Sequence, residues 1–304
     1  MKRYDVVGIG ANVCDTLVTL PRYPKEDTKL RATSVRTCGG GPCGTGLVAS
    51  AKLGAKCAYL GALADDEAGK FLLKDMERFG IDVSLVQIKP GSSFTSFIWI
   101  SEEDKTRTIV FNKDGLPVFT LSKEQKKAIE DAKVLLIDGN ELENAIEGAK
   151  IAKENGTKVV YDAGGLYPGV DRLLPYADIL IPSEEFSLGH TGKDNANDAA
   201  KALFEKYSPE LVVITQGKKG GIMYDGKKIT EYPALPATVV DSNGAGDVFH
   251  GGFAYAVSHG INGYNACIFS SAVSAHKCTK VGSRDATPTY PELKKYLKEQ
   301  NYEL

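Results

Sequence analysis

The sequence of 304 residues contains no long hydrophobic run, and none of its apolar stretches approaches the ~18 residues that a membrane-spanning helix needs. It also has no basic tract, because 37 Lys and Arg residues are balanced by 39 Asp and Glu residues, for a net charge of -2. Neither a nucleic-acid partner nor a membrane partner is therefore expected. The first residues lead directly into a strand pattern without the apolar core of a signal peptide, which predicts a soluble, cytoplasmic protein.

Paired metal-binding or disulfide-forming residues are also missing. No Cys-x-x-Cys pair occurs among the six cysteines, which are Cys14, Cys38, Cys43, Cys57, Cys267 and Cys278, and the four histidines are scattered. This distribution predicts neither a disulfide framework nor a zinc site. We expect reduced thiols with structural roles.

Short β-branched runs alternate with longer helical patterns along the chain, with no visible linker or internal repeat. This alternation is typical of a single domain with a mostly parallel sheet and helices on both faces. Strands are predicted at 4–9, 56–60, 134–137, 158–161, 179–181 and 211–215. Helices are predicted at 46–53, 66–79, 142–154, 245–258, 264–277 and 291–300.

Two stretches interrupt the alternation, at about 14–37 and 87–119, where Thr and Ser residues alternate with apolar ones. Two distant β-rich segments can pair into a small sheet that covers one edge of the main domain. Such a lid would suit chemistry that must exclude water. The alternative is a pair of simple hairpin loops.

The most informative segment is Asp-Ser-Asn-Gly-Ala-Gly-Asp at 241–247, which lies between Val239-Val240 and an apolar helical pattern. As a strand end, glycine turn and helix start, it places three amides at a positively polarised helix N-terminus, those of Gly244, Ala245 and Gly246. Asp247 then lies in the first turn beside a bound anion, where a carboxylate can take a proton from an attacking hydroxyl. The alternative is an ordinary glycine turn followed by a helix-stabilising Asp.

A second glycine-rich stretch, Gly39-Gly40-Gly41-Pro42-Cys43-Gly44-Thr45, lies far from this motif. Together the two resemble the paired signatures of the ribokinase-like (PfkB) carbohydrate kinase family, and the order of segments fits that family over nearly the full length. The resemblance implies a doubly wound α/β fold with a small β-sheet lid. It also implies ATP-dependent phosphorylation of a primary hydroxyl of a small sugar, such as a ketohexose, a keto-deoxy sugar acid or a pentose. A nucleoside kinase and a non-catalytic sugar or nucleotide sensor are the alternatives.

The resemblance assigns roles to particular residues. Asp247 would be the base, and the amides of Gly244–Gly246 would bind the transferring phosphoryl group. The residues expected to contact the sugar are Asp15, Gly40, Gly41, Thr45 and Arg107. Thr45 stands where the family commonly has Asn, so sugar recognition there must differ. Asp15 could instead cap a turn, Gly40 and Gly41 could form a plain turn, and Arg107 could be a solvated strand residue.

The nucleotide and its ions receive their own assignments. The residues expected at the nucleotide are Ser183, Thr215, Gly217 and Gly220. The family's Asn-x-x-Glu motif appears here as Ser183-Glu184-Glu185-Phe186, so Glu184 or Glu185 would anchor Mg²⁺ through water or else cap the following helix. Asp162 would join that water network or cap a loop. The resemblance also implies a K⁺ ion near Asp241 and the 281–283 loop, and a homodimer that pairs through the lid.

Two other nucleotide-binding folds are disfavoured. The segment Gly8-Ile9-Gly10-Ala11-Asn12-Val13 begins like a dinucleotide-binding fingerprint, but Val13 occupies the position where close helix packing needs the third glycine. A P-loop kinase is disfavoured because the chain has no Gly-x-x-x-x-Gly-Lys-[Ser/Thr] segment.

Overall fold

The computed structural model of the protein describes residues 2–104 and 106–302. Its strands are β1 (Tyr4–Ile9), β2 (Val13–Leu20), β3 (Ser34–Gly40), β4 (Cys57–Tyr59), β5 (Ala62–Ala64), β6 (Gln87–Lys89), β7 (Thr95–Ser101), β8 (Arg107–Asn112), β9 (Ala132–Ile137), β10 (Lys158–Ala163), β11 (Ile179–Pro182), β12 (Leu211–Thr215), β13 (Gly221–Tyr224) and β14 (Ile229–Tyr232). Its α-helices are α1 (Pro42–Lys52), α2 (Glu67–Arg78), α3 (Lys123–Glu130), α4 (Leu142–Glu154), α5 (Glu184–Thr191), α6 (Ala196–Tyr207), α7 (Ala245–Ser258), α8 (Gly263–Cys278) and α9 (Tyr290–Glu299).

The main sheet has the strand order β14-β13-β12-β11-β10-β9-β1-β4. The strands from β12 to β4 are parallel, whereas β13 and β14 turn back antiparallel at one edge. The predicted α/β class with a mostly parallel sheet flanked by helices is confirmed. The carboxyl ends of the parallel strands meet at one edge of the sheet, where open α/β proteins bind their ligands.

Successive strand residues pack into two different hydrophobic clusters. Val6 and Val134 belong to the cluster under α1, α7 and α8, whereas Val7 and Leu135 belong to the cluster under α4 and α6. Because both faces are covered, the central strands are continuous apolar runs and do not alternate with polar residues. No helix within the two described ranges is both long enough and apolar enough to span a membrane.

The two β-rich stretches form a separate four-stranded sheet with the order β3-β2-β7-β8. Strands β2 and β3 come from the first stretch, β7 and β8 come from the second, and β2 runs parallel to β7. Strand β6 pairs instead with β5 in a two-stranded sheet of its own. The second stretch therefore joins the separate sheet only from Thr95 onward.

Helices α3 and α6 escaped prediction, and α5 was expected only as the helix after Ser183, without bounds, although the caps of all three are visible in the sequence. Ser122 and Gln125 form a capping box at the start of α3, and the side chain of Asn195 caps α6 by accepting from the amide of Asp198. Ser183 caps α5 by accepting from the amide of Phe186 at 3.1 Å. Helix α1 also begins at Pro42, four residues before the predicted start, which places Gly44 and Thr45 inside the helix.

Candidate active site

Helix α7 begins at the carboxyl edge of the main sheet without a side-chain cap. It follows Gly244, whose φ of 74° lies in the left-handed region that favours glycine. The amide of Ala245 donates to the carbonyl of Ser242 at 3.2 Å, but the amides of Gly244 and Gly246 meet no acceptor in the part of the chain described. A Cβ atom built on Gly246 would meet no atom within 4 Å. The turn therefore presents free amides to open space, as an anion site requires.

The segment before this turn corrects one prediction. Val239 and Val240 do not form a strand end; they lie with exposed side chains in an irregular segment between β14 and α7. The amides of Val240 and Asp241 both donate to the carbonyl of Cys278, at 2.8 and 3.2 Å. These two hydrogen bonds fix the start of the 241–247 motif to the end of α8. Among the described residues, no strand pairs with the segment that precedes the motif.

Asp247 lies in the first turn of α7, as predicted. Burial of its carboxyl raises its pKa to about 7, the nearby Asp162 adds to the rise, and His250 opposes it. A general base works best when its pKa lies near the working pH. The geometry thus combines free backbone amides with a carboxyl that can exchange protons near neutrality.

His250 connects the anion-binding turn to two strands of the main sheet. Its Nδ1 lies 2.7 Å from the carbonyl oxygen of Gly246 and 3.1 Å from Oδ2 of Asp162, and its Nε2 lies 2.9 Å from the carbonyl oxygen of Ile181. Burial lowers the pKa of His250, whereas both carbonyls and Asp247 oppose this change. Asp162, assigned from the sequence to a water network or a loop cap, is therefore a buried partner of a histidine that the sequence did not single out.

The residues expected at the sugar surround Asp15, which is buried in β2. Its Oδ1 accepts a hydrogen bond from Oγ of Ser96 at 2.6 Å, and burial raises its pKa to about 6. A Cβ atom on Gly40 would lie 1.9 Å from Oδ2 of Asp15, so only glycine allows this approach. Gly41 has a φ of 86° and is the N-cap residue before α1. Thr45 is fully buried, and its hydroxyl has no hydrogen-bond partner in the described ranges.

Arg107 is the exposed first residue of β8, at the edge of the separate sheet. Its Nη1 lies 3.3 Å from Oγ of Ser242, a residue of the 241–247 motif. The separate sheet therefore reaches the 241–247 motif, and it places the guanidinium of Arg107 beside Ser242.

The residues assigned to the nucleotide gather around the end of β12. Thr215 ends that strand and pairs with Ser183 through an isolated bridge, while Gly217 and Gly220 have φ values of 58° and 90° in the following loop. A cleft of about 770 Å³ opens beside this loop. Its lining includes Glu184, Asp194, Asn197, Gln216, Lys219 and Tyr232.

The two glutamates assigned to the metal differ in position. Glu184 lines the cleft, and its Oε1 accepts a hydrogen bond from Nε2 of Gln216 at 2.6 Å. Glu185 is exposed, and Phe186 is buried, with its ring 5.3 Å from that of His190. No cluster of three or more acidic, histidine or cysteine ligands occurs among the described residues. A single carboxylate in a polar cleft suits Mg²⁺ that is held mainly by phosphates and water.

Asp138, at the end of β9, was not predicted as a site residue. Its Oδ2 accepts hydrogen bonds from the amides of Ala11 at 2.8 Å and Cys43 at 3.0 Å. A Cβ atom on Gly10 would lie 2.4 Å from Oδ1 of Asp138, which explains the glycine that resembled a dinucleotide fingerprint. Burial raises the pKa of Asp138, and burial together with Asp138 raises the pKa of nearby Glu141 to about 7.

Arg284, in the loop between α8 and α9, was also missed and is only 2% exposed. Its Nη1 donates to Oδ2 of Asp75 at 2.6 Å, and its Nη2 donates to Oδ1 of Asn12 at 2.7 Å and to the carbonyl of Gly40 at 2.5 Å. The planar guanidinium can serve several acceptors at fixed angles. It thereby ties the loop after β1 and the end of β3 to α2.

Comparisons with known proteins identify the family of this chain. The model of the pfkB family carbohydrate kinases matches residues 3–290. The 5-dehydro-2-deoxygluconokinase of Shouchella clausii is 30% identical, with an alignment that covers 99% of this chain and 97% of that protein. The ribokinase of Haemophilus influenzae is 27% identical and covers 95% of this chain and 97% of its own length.

Solved structures show the same fold. The ribokinase of Arabidopsis thaliana, complexed with ribose and ATP, matches with a TM-score of 0.87 and 24% identity over 97% of this chain and 99% of that chain. The fructokinase of Xylella fastidiosa with bound ATP matches with a TM-score of 0.84 and 22% identity over 99% of this chain and 100% of that chain. By its sequence and its ribokinase-like fold, the chain belongs to the pfkB family of carbohydrate kinases and is an ATP-dependent carbohydrate kinase.

Proposed function

We propose that this kinase transfers the γ-phosphoryl group of ATP to a primary hydroxyl of a small sugar, with Asp247 as the base. The observation that carries the proposal is the N-terminus of α7, where the free amides of Gly244 and Gly246 adjoin a carboxyl whose pKa is about 7. Backbone amides at such a position stabilise the charge that develops on a transferring phosphoryl group. The amide of Ala245, which the sequence assigned to the anion hole as well, donates to the carbonyl of Ser242 and supports the turn instead.

The proposed reaction is an in-line displacement at the γ-phosphorus. The carboxylate of Asp247 accepts the proton of the sugar hydroxyl as its oxygen bonds to phosphorus, and the bond from phosphorus to the β–γ bridging oxygen breaks. The products are the sugar phosphate and ADP, with the proton on Asp247. Because little covalent work falls to the protein, positioning and charge stabilisation provide most of the catalysis.

ATP would bind along the loop that follows β12, with Ser183, Thr215, Gly217 and Gly220 against it. Glu184 is the better placed of the two glutamates to hold Mg²⁺ through water, because it faces the cleft while Glu185 is exposed. When bound, Mg²⁺ would neutralise part of the charge on the ATP phosphates. We place this reaction in the cytoplasm, where ATP is supplied.

A keto-deoxy sugar acid is the acceptor we favour over a neutral ketohexose or a pentose. The support is the name of several relatives, including the 30% identical 5-dehydro-2-deoxygluconokinase of Shouchella clausii. Asp15 would accept hydrogen bonds from sugar hydroxyls between Gly40, Gly41 and Thr45. Arg107 supplies a cation beside Ser242, where it could pair with the carboxylate of a sugar acid.

The separate sheet is proposed to act as a lid and as a dimer surface. Strand register places Asp15 and Ser96 on one face, toward the site. The opposite face carries large apolar side chains that remain exposed, among them Val35, Phe97, Trp99 and Val110. An exposed apolar face of this kind favours burial against a second copy of the chain.

The test is ADP release with ATP and Mg²⁺ across a panel of keto-deoxy sugar acids, ketohexoses, pentoses and nucleosides, with Asp247→Asn as the control. We expect turnover with a sugar acid that the control variant lacks. Turnover with a nucleoside alone would replace the sugar assignment. ATP binding without turnover on any member of the panel would contradict the proposed acceptors.

A further inference from the structure

Helix α8 carries a lysine with no exposed surface. Lys277 is 0% exposed and lies in the last turn of the helix. Burial of an ammonium group is unfavourable unless acceptors or an opposite charge compensate for the lost water. Lys280, three residues further on, is exposed and pairs with Glu292 at 3.4 Å. Lys277 is therefore a buried lysine, whereas Lys280 is an exposed one.

The ammonium of Lys277 faces the first residue of the 241–247 motif. Its Nζ donates to the backbone carbonyl of Asp241 at 2.7 Å and lies 3.9 Å from Oδ1 of the same residue. Burial lowers the pKa of Lys277, whereas Asp241, Cys278 and Asp247 oppose this effect. The nearest compensating groups thus belong to the segment that carries the anion hole and the base.

Both carboxylate oxygens of Asp241 also accept hydrogen bonds from backbone amides. Oδ1 accepts from the amide of Asn243 at 2.8 Å, and Oδ2 accepts from the amide of Gly282 at 2.8 Å. One turn earlier in α8, Oγ of Ser274 donates to the carbonyl of Ala245 at 2.9 Å. With the carbonyl of Cys278, which accepts from the amide of Asp241, helix α8 therefore holds the motif at three residues, and Lys277 is the charged one.

These contacts do not fit the K⁺ ion that the family resemblance implied near Asp241. A K⁺ ion binds through carbonyl and carboxylate oxygens that replace its hydration shell. The carbonyl and Oδ1 of Asp241 instead face the ammonium of Lys277. A second cation at the same oxygens would be repelled by this buried like charge.

We propose that the ammonium of Lys277 takes the place of a monovalent cation beneath the Gly244–Gly246 amides, so that this kinase works without K⁺. The inference rests on the proposed phosphotransfer function. Lys277 is a positioning residue, because it acts through Asp241 and does not contact the reacting atoms. Its charge adds to the positive end of α7 and holds the turn in the form that binds the anion.

The activity test compares KCl with choline chloride at equal ionic strength, because choline is too large to replace K⁺. The wild-type rate should be the same in both salts. Lys277→Ala should lose about 10- to 100-fold in choline chloride, the range expected when a charged hydrogen bond is removed, and KCl should restore much of the rate. Lys280→Ala, which removes an exposed lysine, should match the wild type in both salts.

A second readout does not depend on the sugar. KCl should raise the melting temperature of Lys277→Ala above its value in choline chloride, because a ligand that binds the folded state stabilises it. The wild type should melt at the same temperature in both salts. If the wild type phosphorylates no member of the sugar panel, the proposed function is wrong. The melting temperatures in KCl and choline chloride would still test the role of Lys277.

Three results would overturn the inference. The first is strong activation or thermal stabilisation of the wild type by K⁺. The second is full activity of Lys277→Ala in choline chloride. The third is a Lys277→Ala protein that K⁺ neither reactivates nor stabilises. If Lys277→Ala does not fold, Lys277→Met provides the same comparison with a side chain of similar shape.

Discussion

The N-termini of α1 and α7 look alike in sequence but differ in what they leave free. Each helix follows a glycine with positive φ, Gly41 at 86° and Gly244 at 74°, and neither of these glycines supplies a side-chain cap. At α1, the buried carboxylate of Asp138 accepts from the amide of Cys43. At α7, the amides of Gly244 and Gly246 meet no acceptor in the described part of the chain.

This difference shows that a glycine-rich helix start is not in itself an anion site. The protein's own carboxylate occupies the first N-terminus, and the glycines there permit close packing against Ala11, Asp15 and Arg284. At the second N-terminus, the amides of Gly244 and Gly246 remain without an acceptor in the described residues. A glycine-rich helix start can bind an external anion only where no acceptor of the protein already occupies its amides.

The largest effect is expected for Asp247, the proposed base beside the free amides at the N-terminus of α7. We predict that Asp247→Asn lowers kcat by about 100- to 10,000-fold, the usual contribution of general base catalysis, since the amide cannot accept the proton. ATP affinity and melting temperature should stay near the wild-type values. Steady-state kinetics with the acceptor found in the panel provide the measurement. Near-normal turnover would show that another group takes the proton.

A matched pair of alanine substitutions separates the two termini. Gly246→Ala places a methyl group in open space beside the free amides, so we predict a fall in kcat of about 100-fold with little change in melting temperature. Gly44→Ala places a methyl group 2.3 Å from Nη2 of Arg284. We predict that this overpacking lowers the free energy of unfolding by about 1–3 kcal/mol. If both variants lower the free energy of unfolding equally, the N-termini of α1 and α7 do not differ in packing as described.

The main sheet and both signatures were predictable from sequence, because β-branched runs and glycine motifs are local signals. The predicted bounds of α7, 245–258, agree with the structure. The partners of the signatures were not predictable. Asp138, Lys277 and Arg284 lie in ordinary local contexts, and only the fold brings them to the motifs they serve. The Val239-Val240 strand was wrong because apolar β-branched residues also occur in exposed irregular segments.

A smaller effect is expected at the N-terminus of α1, where Arg284 binds the carbonyl of Gly40 in the proposed sugar site. We predict that Arg284→Lys raises the KM for the acceptor by about tenfold, because an ammonium cannot serve Asp75, Asn12 and Gly40 together. The KM for ATP should not change. Arg78→Gln is the matched control, since Arg78 also binds Asp75 at 2.7 Å but is half exposed. A parallel rise in both KM values would indicate a general structural role.

The smallest expected effect is the pH dependence of the rate, which depends on the titration of Asp247. Because burial raises the pKa of Asp247 to about 7, the rate should rise as the pH increases through 7 and gain only about twofold between pH 7 and 8. In the unfolded chain an Asp titrates near ~3.9, so between these values the folded protein keeps a proton that the unfolded chain has lost. The contribution of Asp247 to the free energy of unfolding therefore falls as the pH rises through this window. A flat pH–rate profile from pH 6 to 8 would contradict this value.

The guanidinium of Arg284 also constrains how this sequence can change over time. A Cβ atom would lie 2.1 Å from its Nη1 at Gly39 and 2.3 Å from its Nη2 at Gly44. The arginine at 284 therefore requires glycine at positions 39 and 44, so the three residues should change together. In homologous chains, we expect larger residues at positions 39 and 44 only where the residue at 284 is smaller than arginine.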